Sequence, residues 1–256
     1  MTHLRVATYN TWNCQGDLDR RLALMSSGLQ AVNADVVLLQ EVFAEVPSGH
    51  DVARQLARDL NMNVAYAPTR KKLRPLNGAP VLGCSGLAVL TRGEIHTHQI
   101  VRLPEDTRDG ERLAQVVSTD IGGTTVLLAN VHLSHLTDAD GLRQNQIEVL
   151  MDHLANARAC DVTILGGDMN MTQGHSTLME LQTNRGFQLA LCKIPPTTTL
   201  NPVEAGAPSM GVIDHILVKA PKDCRIEAQT ALNAPDSASG FYPSDHMAVI
   251  ADIDCR

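Results

Sequence analysis

Strand-like and helix-like patterns alternate along this chain from end to end, and no other feature restricts its architecture as much. Residues 4–11 read as a strand, and Asp17 then stands where a helix N-cap belongs. The apolar residues that follow, Leu18, Leu22, Met25, Leu29 and Val32, recur every three or four positions and so share one helical face. Residues 35–40 (Asp-Val-Val-Leu-Leu-Gln) read as a buried strand, and Val52, Leu56 and Leu60 mark a second amphipathic helix. A Pro/Gly-rich stretch over 75–86 leads into strand patterns at 87–90, 95–103, 113–121 and 124–133; Gly122-Gly123 signals a hairpin turn between the last two. A helix over 140–158, burying Ile147, Leu150 and Leu154, precedes strands at 162–165, 212–218, 225–232 and 247–253. No break in composition divides them, so they predict one mixed α/β domain over residues 1–256.

A chain of 256 residues, 44% hydrophobic and 19% charged, is neither disordered nor fibrous. No apolar run approaches the roughly 20 residues that cross a bilayer. The first residues pass into a strand pattern without an apolar leader, so no secretory signal is expected. With 28 acidic against 21 basic residues, a formal −7, the chain lacks the overall basic footprint of a phosphate-gripping nucleic-acid binder. Arg70, Lys71, Lys72 and Arg74 form a local exception, readable as a solvated loop or as a rim that attracts a phosphorylated substrate. The cysteines at 14, 84, 160, 192, 224 and 255 are scattered, with no C-x-x-C pair. That usage predicts free thiols in a reducing compartment, the cytoplasm by default, with Cys84, Cys160 and Cys192 packed as small hydrophobes.

Function is written at the strand ends. Asn10, Glu41, Asp168 and Asn170 each follow an apolar strand pattern, His132 sits late in one, and Asp245-His246 immediately precedes one. Asp214 lies inside the apolar run 212–218, where a charge needs a partner. Singly, each has another reading: Asn10 as a strand terminator, Glu41 as a loop acid, His132 as a core histidine. Asp168 and Asn170 also suit a turn, Asp214 a structural salt bridge and Asp245-His246 a strand-entry turn. Jointly, carboxylates, amides and imidazoles on separate strands suit one pocket where strand ends converge. Oxygen donors such as Glu41, Asp168 and Asp245 favour a hard cation over zinc. A histidine oriented by an aspartate can move a proton to or from water. That set describes water attacking a phosphoester.

At these same residues the sequence resembles the endonuclease/exonuclease/phosphatase superfamily. The motifs are Ala7-Thr8-Tyr9-Asn10, Leu39-Gln40-Glu41, Ser85-Gly86-Leu87-Ala88-Val89-Leu90, Asn130-Val131-His132-Leu133, Gly167-Asp168-Met169-Asn170, Ile213-Asp214-His215-Ile216 and Ser244-Asp245-His246, in family order. The resemblance implies a four-layer α/β sandwich, two packed mixed sheets flanked by helices. It implies Mg²⁺ or Mn²⁺ on a side formed by Asn10 and Glu41, with Asp245 nearby. Asp214 would orient His246 to activate or position the water, His132 and Asn170 would hold the phosphate, and Asp168 would align the nucleophile or assist proton transfer.

Substrate is less legible. A phosphodiester of a lipid or small molecule is expected, with DNA or RNA as the alternative; no protein partner is read. Trp12, Arg143, Lys71 and Lys72 are candidate substrate contacts, Arg143 and Gln146 forming an Arg-x-x-Gln pattern similar to that of sphingomyelinase-like members. Aromatics make up only 3% of the chain, leaving few platforms for base stacking. Two other classes compete: a cysteine phosphatase built on Cys14-x5-Arg20, opposed by Asp17 and Asp19 within that loop, and a non-catalytic phospho-ligand binder.

Overall fold

The computed structural model describes residues 2–190, 197–200, 210–220 and 224–255. Among them, two six-stranded mixed sheets pack face to face between four helices, a four-layer α/β sandwich. The first sheet runs β11(Cys224–Ala231)-β12(Ala248–Cys255)-β1(Thr2–Asn10)-β2(Val36–Glu45)-β4(Ala79–Thr91)-β3(Asn63–Leu76). The second runs β5(Glu94–Arg102)-β6(Leu113–Ile121)-β7(Thr124–His132)-β8(Val162–Asp168)-β10(Asp214–Lys219)-β9(Gln188–Leu189). Helices α1(Leu18–Val32) and α2(Val52–Leu60) cover the first sheet; α3(Asp140–Ala155) and α4(Ser176–Thr183) cover the second.

Strand alternation sorts the apolar residues into these layers. Along β1 and β2, Leu4, Val6, Val36 and Leu38 point between the sheets, while Ala7, Tyr9, Val37 and Leu39 point under α1 and α2. Such strands are covered on both faces, which is why Val-Val-Leu-Leu reads as an unbroken apolar run. The α1 stripe is buried as its spacing predicts, and the Asp17 side chain accepts from Arg20 N at 3.1 Å as the N-cap. Two buried amides tie the sheets together: Gln40 Nε2 donates to Asn130 Oδ1 (2.8 Å), and Asn130 Nδ2 donates to the carbonyls of Leu39 and Ala88.

Two expectations are corrected here. The basic run at 70–74 is not a solvated loop, which is one of its two readings; with the Pro/Gly-rich stretch it belongs to the arms of one long hairpin, β3 and β4. Leu76 pairs with Ala79, leaving Asn77-Gly78 as a two-residue turn with both φ values positive, +50° and +81°. That dipeptide suits the type I′ turn whose twist matches paired strands. Second, the thiols are not all free. Cys224 and Cys255 face each other across β11 and β12 and form a disulfide, while Cys14, Cys84 and Cys160 are free and Cys192 lies outside the described residues. Strand register, which spacing along the chain does not show, brings that pair together. Most of the 195–211 loop also lies outside the described residues. No helix is long and apolar enough to cross a membrane among the described residues.

Candidate functional site

Register, more than any single element, assembles the site. In the second sheet Asp168 pairs directly with His132 on β7 and with Asp214 on β10, so three polar residues form a row across adjacent strands. In the first sheet Asn10 pairs with Gln40, which sets Glu41 beside it. Glu41 sits in a bulge of β2 with φ +53°, a conformation that turns an acid out of an otherwise apolar strand. Gly167 presses β8 against β7 beside this row; a Cβ there would run into the Val131 carbonyl oxygen, and its φ of +148° suits glycine.

The two rows touch. Asn10 Nδ2 donates to Asp168 Oδ2 at 3.0 Å and reaches Glu41 Oε1 at 3.4 Å. His246 Nδ1 is 2.9 Å from Asp214 Oδ2, and its Nε2 is 3.7 Å from Asp168 Oδ2; His132 Nε2 is 3.5 Å from the same oxygen. Thr198 Oγ1 donates to Asp214 Oδ2 at 2.6 Å and accepts from Ile213 N, while Asp214 Oδ1 is buried without a hydrogen bond. Ser244 Oγ donates to the Asn10 carbonyl (2.7 Å), fastening the Asp245-His246 turn to β1. Asn170, at φ +51°, donates from its main chain to Asp168 Oδ1 and from Nδ2 to the Leu133 carbonyl.

This density of acids shifts protonation. Burial, then the Asp214 charge, push Asp168 up to about 7. Burial also lifts Asp245 to about 6, against the pull of His246. For His246 burial acts downward, but Asp214, Asp168 and Asp245 together outweigh it and raise the imidazole to about 10. His132 goes the other way: burial, then the Arg112 and His246 charges, keep it well below the ordinary histidine value and neutral.

A cavity of about 440 Å³ opens above this floor, lined by Glu41, His132, Asp168, Asn170 and His246 among others. Lys72, Arg70 and Arg74 form its wall on β3. Of the residues picked from sequence, Asp214 and Asp245 stand behind the floor rather than in the lining. Asn10 is turned with its oxygen toward Trp12 N (3.0 Å), so its amide group donates to the two carboxylates instead of offering them a shared cation ligand. Arg143 does not reach the site: it is buried and donates to the carbonyls of Ser134 and Leu136 and to Asp140, fixing the start of α3. Trp12 is half-buried with the Arg21 guanidinium 5.0 Å from its ring, and Lys71 points away from the cavity; neither is a lining residue.

Two supports were not picked out. Arg21, almost fully buried, donates to the carbonyls of Thr11, Asn13, Gln15 and Pro243, clamping the loop after Asn10 to the turn before His246. Its signal was present, since a charge at position 21 falls on the apolar stripe of α1 between Leu18 and Met25. Thr198 carried no signal beyond a run of three threonines.

The donor set fits a hard divalent cation. Among the described residues Glu41 accepts only the long contact from Asn10, and Asp168 and Asp245 are held above their ordinary range first by burial, with the Asp214 charge adding to it at Asp168 and the Glu41 charge at Asp245. Ligand-type atoms of Asp168, Asp214 and His246 lie within 4.8 Å of one another. Asp214 and His246 already satisfy each other, so Glu41 and Asp168 are the more open donors.

A sandwich of two mixed sheets that gathers acids, amides and imidazoles at one end of both defines a class of fold and site before it defines a protein. Within that class the chain belongs to the Endonuclease/Exonuclease/phosphatase family, whose profile matches residues 10–246. Members are generally phosphoester hydrolases and typically use divalent metal ions. Among solved structures it is similar to truncated TDP2 from Caenorhabditis elegans (18% identity, TM-score 0.73, 99% of this chain and 98% of that one). It is also similar to a functionally unknown conserved protein from Enterococcus faecalis (22%, 0.74, 99% and 100%). The endonuclease/exonuclease/phosphatase from Bacteroides vulgatus shares 17% identity at TM-score 0.75, covering 100% of both chains. At these identities the likeness is one of fold. No curated protein matches the chain at a significant level.

Proposed function

We propose that this single-domain protein is a divalent-metal-dependent phosphohydrolase that cleaves a phosphodiester by attack of water. The observation that carries the reading is the His246–Asp214 pair, hydrogen-bonded at 2.9 Å, with His246 Nε2 directed toward Asp168 on the cavity floor. Glu41 and Asp168 would hold Mg²⁺ or Mn²⁺, with Asp245 behind them, and the ion supplies positive charge beside the phosphoryl group. Asp214 fixes His246 by Nδ1, which leaves Nε2–H to donate to a phosphoryl oxygen. Its raised pKa keeps His246 protonated at neutral pH, so it stabilises charge building on the phosphate. Asp168, whose Oδ2 is 3.7 Å from His246 Nε2, would align the attacking water beside the ion. Neutral His132 and Asn170 complete the cradle. A nuclease is the second reading, favoured by the basic row on β3. A cytoplasmic setting is supported by free Cys14, Cys84 and Cys160 and opposed by the Cys224–Cys255 bridge.

Hydrolysis of bis(p-nitrophenyl) phosphate beside p-nitrophenyl phosphate, with Mg²⁺, Mn²⁺ or chelator, tests the reading. Chelator-sensitive release from the diester is expected. Release confined to the monoester would overturn the diester preference, and metal-independent release would overturn the mechanism.

Metal binding should also be visible without turnover. Asp168 and Asp245 have folded-state pKa values of about 7 and 6, above the unfolded carboxylate. The metal-free fold therefore takes up protons relative to the unfolded chain, and these groups lower its stability as pH rises from about 4 to 7. A cation must displace those protons. At pH 8 and saturating Mn²⁺, Tm should rise by about 5 °C or more; at pH 5 most of that gain should vanish. An equal gain at both pH values would exclude these carboxylates as the ligands.

A further inference from the structure

The hydrolytic reading leaves one wall of the cavity unused. Side chains alternate along β3, so Arg70, Lys72 and Arg74 face the cavity while Lys71 and Leu73 face away from it. Among the described residues none of the three side chains makes an ion pair or hydrogen bond, and Arg74 Nε is buried without a partner. The acids that could answer them are engaged elsewhere. Asp109 is bound by Arg112 and His135 and Glu111 by Arg102, while Glu41 and Asp168 belong to the proposed metal side. Burial, then the charges of Arg74 and Arg70, hold Lys72 below the usual lysine value, and burial does the same to Arg74; Glu41 compensates each in part.

Arg70 and Lys72 are exposed to solvent, whereas Arg74 is half-buried with an unsatisfied buried N–H, which is costly unless something anionic completes it. The cavity, at about 440 Å³, has room for a small organic molecule beyond the reacting phosphate. Its described lining includes no Trp, Tyr or Phe, so whatever fills it is recognised by charge rather than by stacking.

We infer that Arg70, Lys72 and Arg74 bind a second phosphate of the substrate while the scissile phosphodiester lies against Glu41, Asp168 and His246. This rests on the hydrolytic reading above, and it narrows the substrate class to phosphodiesters that carry another phosphate nearby. The shared chemistry is a phosphate-bearing diester, drawn either from a nucleic-acid strand or from a phosphorylated small molecule.

The test compares thymidine 5′-(p-nitrophenyl phosphate) with the same compound carrying a 3′-phosphate, in wild type and in the Lys72→Gln/Arg74→Gln double variant. Wild type should prefer the 3′-phosphorylated substrate in kcat/KM by about 30-fold or more, since charge-assisted hydrogen bonds are the strong ones. In the double variant that ratio should drop below about 3-fold, and a general loss of activity would not move it. Equal kcat/KM on the two substrates in wild type, or a preference that survives the double substitution, overturns the inference and leaves the hydrolytic reading standing. Calorimetric binding of thymidine 3′,5′-bisphosphate against thymidine 5′-monophosphate, with Mg²⁺, decides it without turnover. If neither ester is hydrolysed but the bisphosphate binds more tightly only in wild type, the second-phosphate site stands and the hydrolytic reading falls. Equal binding of the two nucleotides sinks the site itself. Where the site holds, a thymidylate dodecamer that binds more tightly than the bisphosphate assigns the second phosphate to a nucleic-acid strand, and equal binding assigns it to a small molecule.

Discussion

Replacing His246 with alanine should lower kcat for phosphodiester hydrolysis by on the order of a thousandfold, within the range typical of a lost acid–base group. The imidazole is the only group in direct contact with both Asp214 and Asp168 among the described residues, so water or a neighbour has no ready way to take its place. Asp214→Asn should be nearly as damaging although it preserves shape. Asp214 Oδ2 accepts from both His246 and Thr198, and an amide turned to satisfy one of them presents the wrong group or the wrong charge to the other. An asparagine would also let imidazole lose its proton or change tautomer. Steady-state kinetics checks both variants, with thermal melts confirming that they fold. Full activity in His246→Ala would end the Asp–His assignment, and loss in His246→Ala with normal rates in Asp214→Asn would remove Asp214 from it.

Arg21→Leu should be the most destabilising single change near the site. Leucine matches much of the buried volume but leaves the carbonyls of Thr11, Asn13, Gln15 and Pro243 without their donor. Each buried acceptor stranded this way costs about 1–3 kcal/mol, and partial relaxation brings the expected total to about 3 kcal/mol or more. For a chain of this size that corresponds to a Tm lower by roughly 6–12 °C. Arg21→Lys should fall between, since an ammonium keeps the charge but cannot span the same fork of carbonyls. A Tm within about 2 °C of wild type for the leucine variant would show that the clamp is dispensable. If it does act as described, diesterase activity should fall before the protein unfolds, because the clamp joins Asn10's loop to His246's turn.

Much of this was legible in the linear sequence, and for identifiable reasons. Strand and helix periodicity follows from side-chain direction alone, so α1, β2, β7 and β8 could be read from Leu18–Val32 spacing and unbroken apolar runs. The polar residues closing those runs, Asn10, Glu41, His132, Asp168 and Asp214, stood out because burial of such groups is unfavourable without a shared purpose. What escaped depends on contacts between distant segments. The Asn77-Gly78 turn was hidden among prolines, so the basic residues beside it looked like a loop when they are a strand wall. Arg143 and Arg21 look alike in sequence, a charge on an amphipathic helix, yet both spend their guanidinium groups on backbone carbonyls. Only packing tells which arginines of the cavity lining are already engaged: among the described residues Arg112 is held by Asp109, while the Arg70 and Arg74 side chains make no ion pair.

Sequence by itself therefore determined which segments form strands and helices and which polar residues are candidates for the chemistry, because local periodicity and the cost of burying polar groups are properties of the chain. The tertiary structure alone decided how those residues face one another: the Asp168 row, the Cys224–Cys255 bridge, Thr198 behind Asp214 and the alternation that aims Lys72 inward and Lys71 outward. Those depend on strand register, and register is set by long-range pairing that no local pattern records.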